Sequence, residues 1–279
     1  LGFMVVGIGI GTELALNGAV SHAFNDILFK GLLFMTMGAV LQMTGEIQAS
    51  KLGGLYKRMP KTTWLCIIGA ASISAFPLFN GFVSKSMVMT AVLNQGYPEI
   101  WLALLFASAG VFHHAGIKIP YFAFFGHDSK LMAQDPPGSM LLAMTLAALL
   151  CLAIGIYPNL LYQFLPYEMS YSPYDMTHVL AQTQLLFFAA LAFAWLNLKG
   201  LYPPELPAIN LDVDWLFRKG LPRLWLAFVA TSHWAKRLIK YALFSLFRQF
   251  QFVIKKYHKP DGVLARAQTV SNMAMWVAI

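Results

Sequence analysis

Long apolar runs separated by short polar connections fill the first 198 positions. A helix of about 20 apolar residues crosses the hydrocarbon core of a bilayer. The pattern predicts a first helix to about Leu16, a break near Asn17 and Gly18, and a second helix from about Ala19 to Met43. The next run, Thr62 to Leu93, is too long for one straight span. It contains Pro77, Asn80 and Gly81, so it predicts a broken helix. Further helices are expected over Ile100–Phe125, Met140–Leu165 and His178–Leu198. The stretch KGLYPPELPAINLDVDW then interrupts the pattern with polar and proline residues. Pro222 to Tyr257 resumes it in another form, apolar on one side, with Lys236, Arg237, Lys240, Arg248 and Lys255 on the other. That pattern predicts a basic helix lying in the membrane interface. The expected organisation is a transmembrane domain over 1–198, a linker and basic helix over 199–262, and a last span over 263–279.

Composition agrees with an all-α, polytopic membrane bundle. The chain is 58% hydrophobic and 11% charged, against about 25% charged in soluble domains. A soluble enzyme is thereby excluded. The sequence opens at Leu1, already inside an apolar run, so it reads as a piece of a longer chain, with no signal peptide expected. A net charge of +8 would suggest nucleic acid in a soluble protein; here no nucleic-acid partner is expected, and the sign is read loop by loop. Lys51, Lys57, Arg58 and Lys61 crowd the loop from Glu46 to Lys61, while Gln95–Glu99 and Pro166–Met176 carry no lysine or arginine. His127–Gly138 has Lys130, outweighed by Asp128 and Asp135, and the tail after Lys199 is basic. The positive-inside rule predicts a cell-membrane protein with its basic loops and tail cytoplasmic. Cys66 and Cys151 sit in apolar runs without partners at metal spacing, so no metal, disulfide or cofactor is expected.

Three constellations could carry chemistry. His22, Asp26 and Lys30 stand four residues apart and share one helical stripe. Charged groups at membrane depth are costly when they face lipid, so the stripe must face protein or water. It reads either as a proton relay or as an Asp–Lys pair joining two helices, with His22 near the interface. Lys85 lies just past the Pro77–Gly81 break. Broken helices expose backbone groups that only protein or a hydrated cavity can satisfy, and transporters place ion sites there. Lysine responds readily to burial and is a credible proton carrier; the competing reading is a snorkelling lysine. His114 and Lys118, again four apart and ahead of Pro120, form a third candidate. His113 points elsewhere and reads as a packing residue. Ser72, Ser74 and Ser84 could join helices or line a hydrated path. Glu46, Asp212 and Asp214 read as solvated loop acids, and GIGIGTE lacks the strand and helix context of a phosphate loop.

The segments HAFNDILFKGLLFMTMGAVL, KLGGLYKRMP, SISAFPLFNGFVSKSMV and HAGIKIPYFAFFG, in this order, resemble the antiporter-like membrane subunits. That family comprises large subunits of multisubunit Mrp-type cation/proton antiporters and the proton-pumping subunits of respiratory complex I. LYPPELPAINLDVDWLFRKG looks most like the D-type branch of the antiporter group. The resemblance implies two inverted five-helix repeats, each with one broken helix, threaded by a line of polar residues. This chain resembles the second repeat and the helices after it. Lys85 then matches the broken-helix lysine, and His22 and Lys30 match polar residues on the helix feeding it. Asp26 departs from the family pattern, where several relatives carry histidine. Pro222–Tyr257 resembles a shorter form of the lateral helix of a complex I subunit. The implied function is proton/cation translocation in a Na+/H+ antiporter, with other membrane subunits, the lipid bilayer, protons and monovalent cations as partners. The alternatives are a proton pump in an NADH–quinone or hydrogenase-type complex, and a structural membrane subunit.

Overall fold

Among the described residues every regular element is helical. The computed structural model describes residues 1–203 and 212–259, with single positions at 274 and 277. Apart from those two positions, the expected last span lies outside the described residues, as does part of the proline-rich stretch. Two units result, Leu1–Pro207 and Ala208–Ile279.

In the first unit, α1 (Gly2–Ile10) ends where Gly11 turns left-handed at φ 73°. Thr12 then caps α2 (Glu13–Thr44), its hydroxyl accepting from the Ala15 N–H at 3.3 Å. The break is therefore at Gly11–Thr12, which corrects the expectation of a break at Asn17 and Gly18. Both of those residues are buried inside α2. Gly18 is a packing position: a Cβ there would stand 2.9 Å from a Val88 methyl.

The broken helix is present. It consists of α3 (Pro60–Ile73) and α4 (Asn80–Asn94). Between them Ala75 and Leu78, flanking Pro77, take φ values of 57° and 74°. Left-handed backbone costs a side-chain-bearing residue about 1–2 kcal/mol, so surrounding contacts must hold this segment in place. Pro77 supplies no N–H to continue the ladder.

α5 (Pro98–Val111) continues into wider π-helical turns over Phe112–Lys118 and Tyr121–Phe125. The apolar pattern predicts ordinary helix throughout this fourth span; Pro120, lacking an N–H, sits between the two π segments. α6 (Gly138–Ile156) stops ahead of Pro158, earlier than the expected Leu165, and a short α7 (Asn159–Tyr162) follows. α8 (Met176–Leu198) opens on an Asp175 cap.

α2 is central, packing on α1, α3, α4 and α6. Phe29, Leu33, Val40, Cys66, Ala70 and Phe124 form the main buried cluster. The residues Glu13–Thr44, Pro98–Phe125, Gly138–Ile156 and Met176–Leu198 are long and apolar enough to cross a membrane. α3 and α4 reach that length only together, with 14 and 15 residues. Ile27, Phe34, Phe106 and Leu142 point outward as an apolar surface, the surface a bilayer solvates. The chain is a multi-pass membrane protein. In the second unit, α9 (Val213–Trp215) leads through a π turn into α10 (Leu221–His258), 38 residues and about 57 Å long. By helical spacing, Lys236, Arg237, Lys240, Arg248 and Lys255 share one side of it.

Candidate functional site

The break in α3–α4 leaves carbonyls at the end of α3 without helical partners. Two side chains answer them. Lys85, one turn into α4 and 5% exposed, donates from Nζ to the Ile73 carbonyl at 2.9 Å and to Ser108 Oγ at 3.2 Å. Gln182 of α8 donates from Nε2 to the Ser74 carbonyl at 2.9 Å. The negative end of the α3 dipole thus meets an ammonium group. The Phe3 ring lies 5.5 Å from Nζ and covers it from α1. Lys85 is buried, which overturns the snorkelling reading.

Asn80 opens α4 and pairs with Asn25 of α2: Asn25 Nδ2 donates to the Asn80 carbonyl at 3.0 Å, and Asn80 Nδ2 to Asn25 Oδ1 at 3.3 Å. Gly81 comes next because nothing larger fits. A Cβ there would fall 1.9 Å from the Ser72 carbonyl oxygen.

The α2 stripe divides into two parts. His22 is buried, and its Nδ1 lies 2.9 Å from Ser84 Oγ, next to Lys85 in sequence. The alternative reading expects His22 near the interface; it is inside the bundle. Asp26 and Lys30 form an ion pair at 2.7 Å, with side chains 17% and 43% exposed. The pair lies within α2 rather than between two helices. The stripe therefore runs from a half-exposed ion pair to a buried imidazole and reaches α4 at Ser84.

His114 and Lys118 lie on the π-helical stretch that follows α5. With Ile47, Leu52 and Phe122 they line a separate cavity of about 320 Å³ beside the basic loop. Lys118 Nζ stands 5.9 Å from the Phe122 ring centre. His113 packs edge-on against Phe193, with Nε2 3.2 Å from the Tyr202 hydroxyl. Ser74 donates back to Ala70 within α3, while Ser72 Oγ is buried without a protein partner among the described residues.

Ser108, Gln182 and Asn25 were not read from the sequence, and Asn17 was read only as a helix break. They are single neutral polar residues in apolar helices, and no periodicity marks them. Asn17 donates to the Tyr167 carbonyl at 2.8 Å and accepts from its N–H at 3.1 Å, pinning the loop before α8.

Asp175 caps α8, accepting from the His178 N–H at 2.7 Å. That bond holds its carboxyl below the usual aspartate range. The charged form is favoured in the folded chain, so the stabilisation is present above the ordinary carboxylate value. It is lost as pH falls through the lower folded value. A side-chain NMR titration of Asp175 is expected to give a midpoint below that of a free aspartate. Asp175→Asn is expected to remove that acid-side dependence of the first turn of α8.

Residues 1–113 match the family model described as NADH:quinone oxidoreductase/Mrp antiporter, TM. The D subunit of the Na(+)/H(+) antiporter of Alkalihalophilus pseudofirmus is 32% identical over 167 residues, covering 59% of this chain and 34% of that protein. Hydrogenase-4 component B of Escherichia coli is 35% identical over 158 residues, 52% of this chain and 23% of that one. NADH-ubiquinone oxidoreductase chain 5 of Sus scrofa is 39% identical over 129 residues, 45% and 20% respectively. The chain thus spans about a third or less of these relatives. A chain in the solved Mrp complex from Dietzia sp. DQ12-45-1b aligns with TM-score 0.60 at 24% identity, covering 99% of this chain and 32% of its own. One in the archaeal membrane-bound sulfane sulfur reductase aligns at 0.55 and 21%, covering 99% and 50%. These identities carry the fold alone. Residues 1–113 are thus similar to the membrane subunits of Mrp antiporters and of NADH:quinone oxidoreductase, and the chain shares its fold with subunits of the two solved complexes.

Proposed function

We propose that this chain is the proton/cation-translocating part of a multisubunit monovalent cation/H+ antiporter. Protons move along the line Lys30–Asp26–His22–Ser84–Lys85, with Na+ as the exchanged cation. One observation carries the reading: Lys85 is buried at a helix break, held by the neutral oxygens of Ile73 and Ser108. The buried His22–Ser84 contact stands between Lys85 and α2: Ser84 precedes Lys85 in sequence, and His22 is one helical turn from the Asp26–Lys30 ion pair on α2. Intramembrane ionisable groups at such breaks accompany ion routes. His114 and Lys118 line a separate pocket near the basic loop, which serves as an entry point on the cytoplasmic side. Other membrane subunits of the complex are the partners, packed with lipid around the chain. The basic loops and tail face the cytoplasm.

A redox-driven proton pump is the second reading. The similarity to a hydrogenase component and to an NADH-ubiquinone oxidoreductase chain favours it. The two readings share the same polar line and differ in what drives it.

The test uses the full-length parent protein assembled with its partner subunits. Lys85→Ala is expected to abolish cation-dependent pH changes in inverted membrane vesicles while blots show intact assembly. A redox pump would instead lose acidification driven by its electron donor. Unchanged ion movement in both assays would return the charged stripe to a structural role.

A further inference from the structure

Lys85 faces a small cavity of about 30 Å³ shared with Ser86, Trp101, His178 and Gln182. A site of this size holds one or two waters. The lining supplies polar partners for them. The Trp101 indole N–H is buried without a protein acceptor among the described residues. Lys85 makes two hydrogen bonds, leaving the third donor of an ammonium group unused.

From this cavity a polar cluster continues along α8 and α4. Gln182 stands four residues from His178, so the two share one face of α8. His178 Nε2 lies 3.0 Å from Thr90 Oγ1, and Thr90 Oγ1 lies 2.9 Å from the Tyr171 hydroxyl. On the far side of the ring, Nδ1 lies 2.5 Å from Asp175 Oδ2. Asp175 is half exposed at the cap of α8. Thr90 falls in the last turns of α4, towards the connection to α5. The cluster therefore leads from the middle of the bundle to the end that carries the 166–176 loop, opposite the basic loops.

We propose that Gln182, His178, Thr90, Tyr171 and Asp175 form the outlet by which the Lys85 cavity exchanges protons with the face carrying the 166–176 loop. This rests on the translocation reading above. The Asp175 carboxylate fixes Nδ1 as the proton-bearing nitrogen, leaving Nε2 to accept. The Lys85 ammonium gives a proton to a cavity water, which passes one to the Thr90 hydroxyl as Thr90 gives its own proton to Nε2. The imidazolium then gives its Nδ1 proton to Asp175, which releases it to bulk water. One proton leaves Lys85 and one reaches the outside; a turn of the ring restores the starting tautomer. The ionisable groups facing His178 are Lys85 from α4, Tyr171 from the loop and Asp175 from its own cap. Trp101 and Leu105 of α5 complete the cavity wall.

His178→Gln in the assembled parent complex retains hydrogen-bonding capacity without a ring nitrogen that can take up a proton. It is expected to lower exchange about tenfold or more and to remove the histidine limb from the pH profile. His178→Ala leaves a ring-sized space, and added imidazole is expected to restore part of the rate. Wild-type rate and pH profile in His178→Gln, in membranes where Lys85→Ala abolishes exchange, would overturn the outlet and leave the translocation reading standing. Full exchange in Lys85→Ala would remove both. Should both His178 variants fail to assemble, Thr90→Val tests the same contact, and an unchanged rate there overturns the outlet.

Discussion

Lys85→Arg is expected to stop exchange as completely as Lys85→Ala. The two variants fail for different reasons, and the comparison separates a proton carrier from a helix cap. Arginine keeps the positive charge and the donors that satisfy the Ile73 carbonyl. It does not give up its proton in proteins. If Lys85 served only to cap α3, a guanidinium would serve nearly as well, apart from an overpacking cost of about 1–3 kcal/mol. A carrier must alternate between charged and neutral forms, and arginine blocks that alternation. The expected result is assembly near the parent level with exchange reduced at least about 100-fold, the scale on which a positioned proton-transfer group acts. Exchange retained in Lys85→Arg and lost in Lys85→Ala would assign Lys85 to the cap and leave proton transfer to other groups. Assembly is read by blotting and by thermal stability of the purified complex, so a folding loss is not mistaken for a transport loss.

The prominence of Lys85 was legible because the signals around it are punctuation and cost. Pro77, Asn80 and Gly81 end one helix and begin another, and an ionisable group in an apolar run demands a reason. The same logic failed at Asn17 and Gly18, which also look like a break. Asn17 is satisfied by the backbone of Tyr167, 150 positions away, and Gly18 makes room for Val88. Neither contact has a local trace. The true break at Gly11 carries a left-handed glycine and a threonine cap, a signal hidden in the repeating glycines of GIGIGTE. Ser108 and Gln182 escaped notice for a related reason. A lone neutral polar residue in a membrane helix has many bland explanations, and only the tertiary fold shows that these two meet the broken segment. The stripe His22–Asp26–Lys30 was legible as a stripe. Its division into a buried imidazole and a half-exposed ion pair depends on which neighbours cover each turn.

Gly81→Ala is expected to be among the most damaging single-methyl changes near the site. The added carbon would lie 1.9 Å from the Ser72 carbonyl oxygen and 3.0 Å from its carbon. Both atoms are backbone, so no side-chain rotation relieves the clash. The first turn of α4 must withdraw from α3 by more than an ångström. Lys85 is four residues further along the same helix and moves with it, away from the Ile73 carbonyl. The Asn25–Asn80 pair, one residue before the glycine, opens as well. Leaving a buried polar group unpaired costs about 1–3 kcal/mol, and two such groups are at stake besides the clash itself. A loss of several kcal/mol is therefore expected, seen as poor assembly or a sharply lower melting temperature, with exchange lost in whatever assembles. Gly31→Ala is the matched comparison on α2, where an added Cβ meets nothing within 4 Å in this chain. Alanine in a helix interior is favoured over glycine by about 1 kcal/mol, so that variant is expected to be neutral or slightly stabilising. If Gly81→Ala behaved like Gly31→Ala, the two halves of the broken helix would not be in the close contact that places Lys85 at the end of α3, and the geometry on which the proton route rests would fail with it.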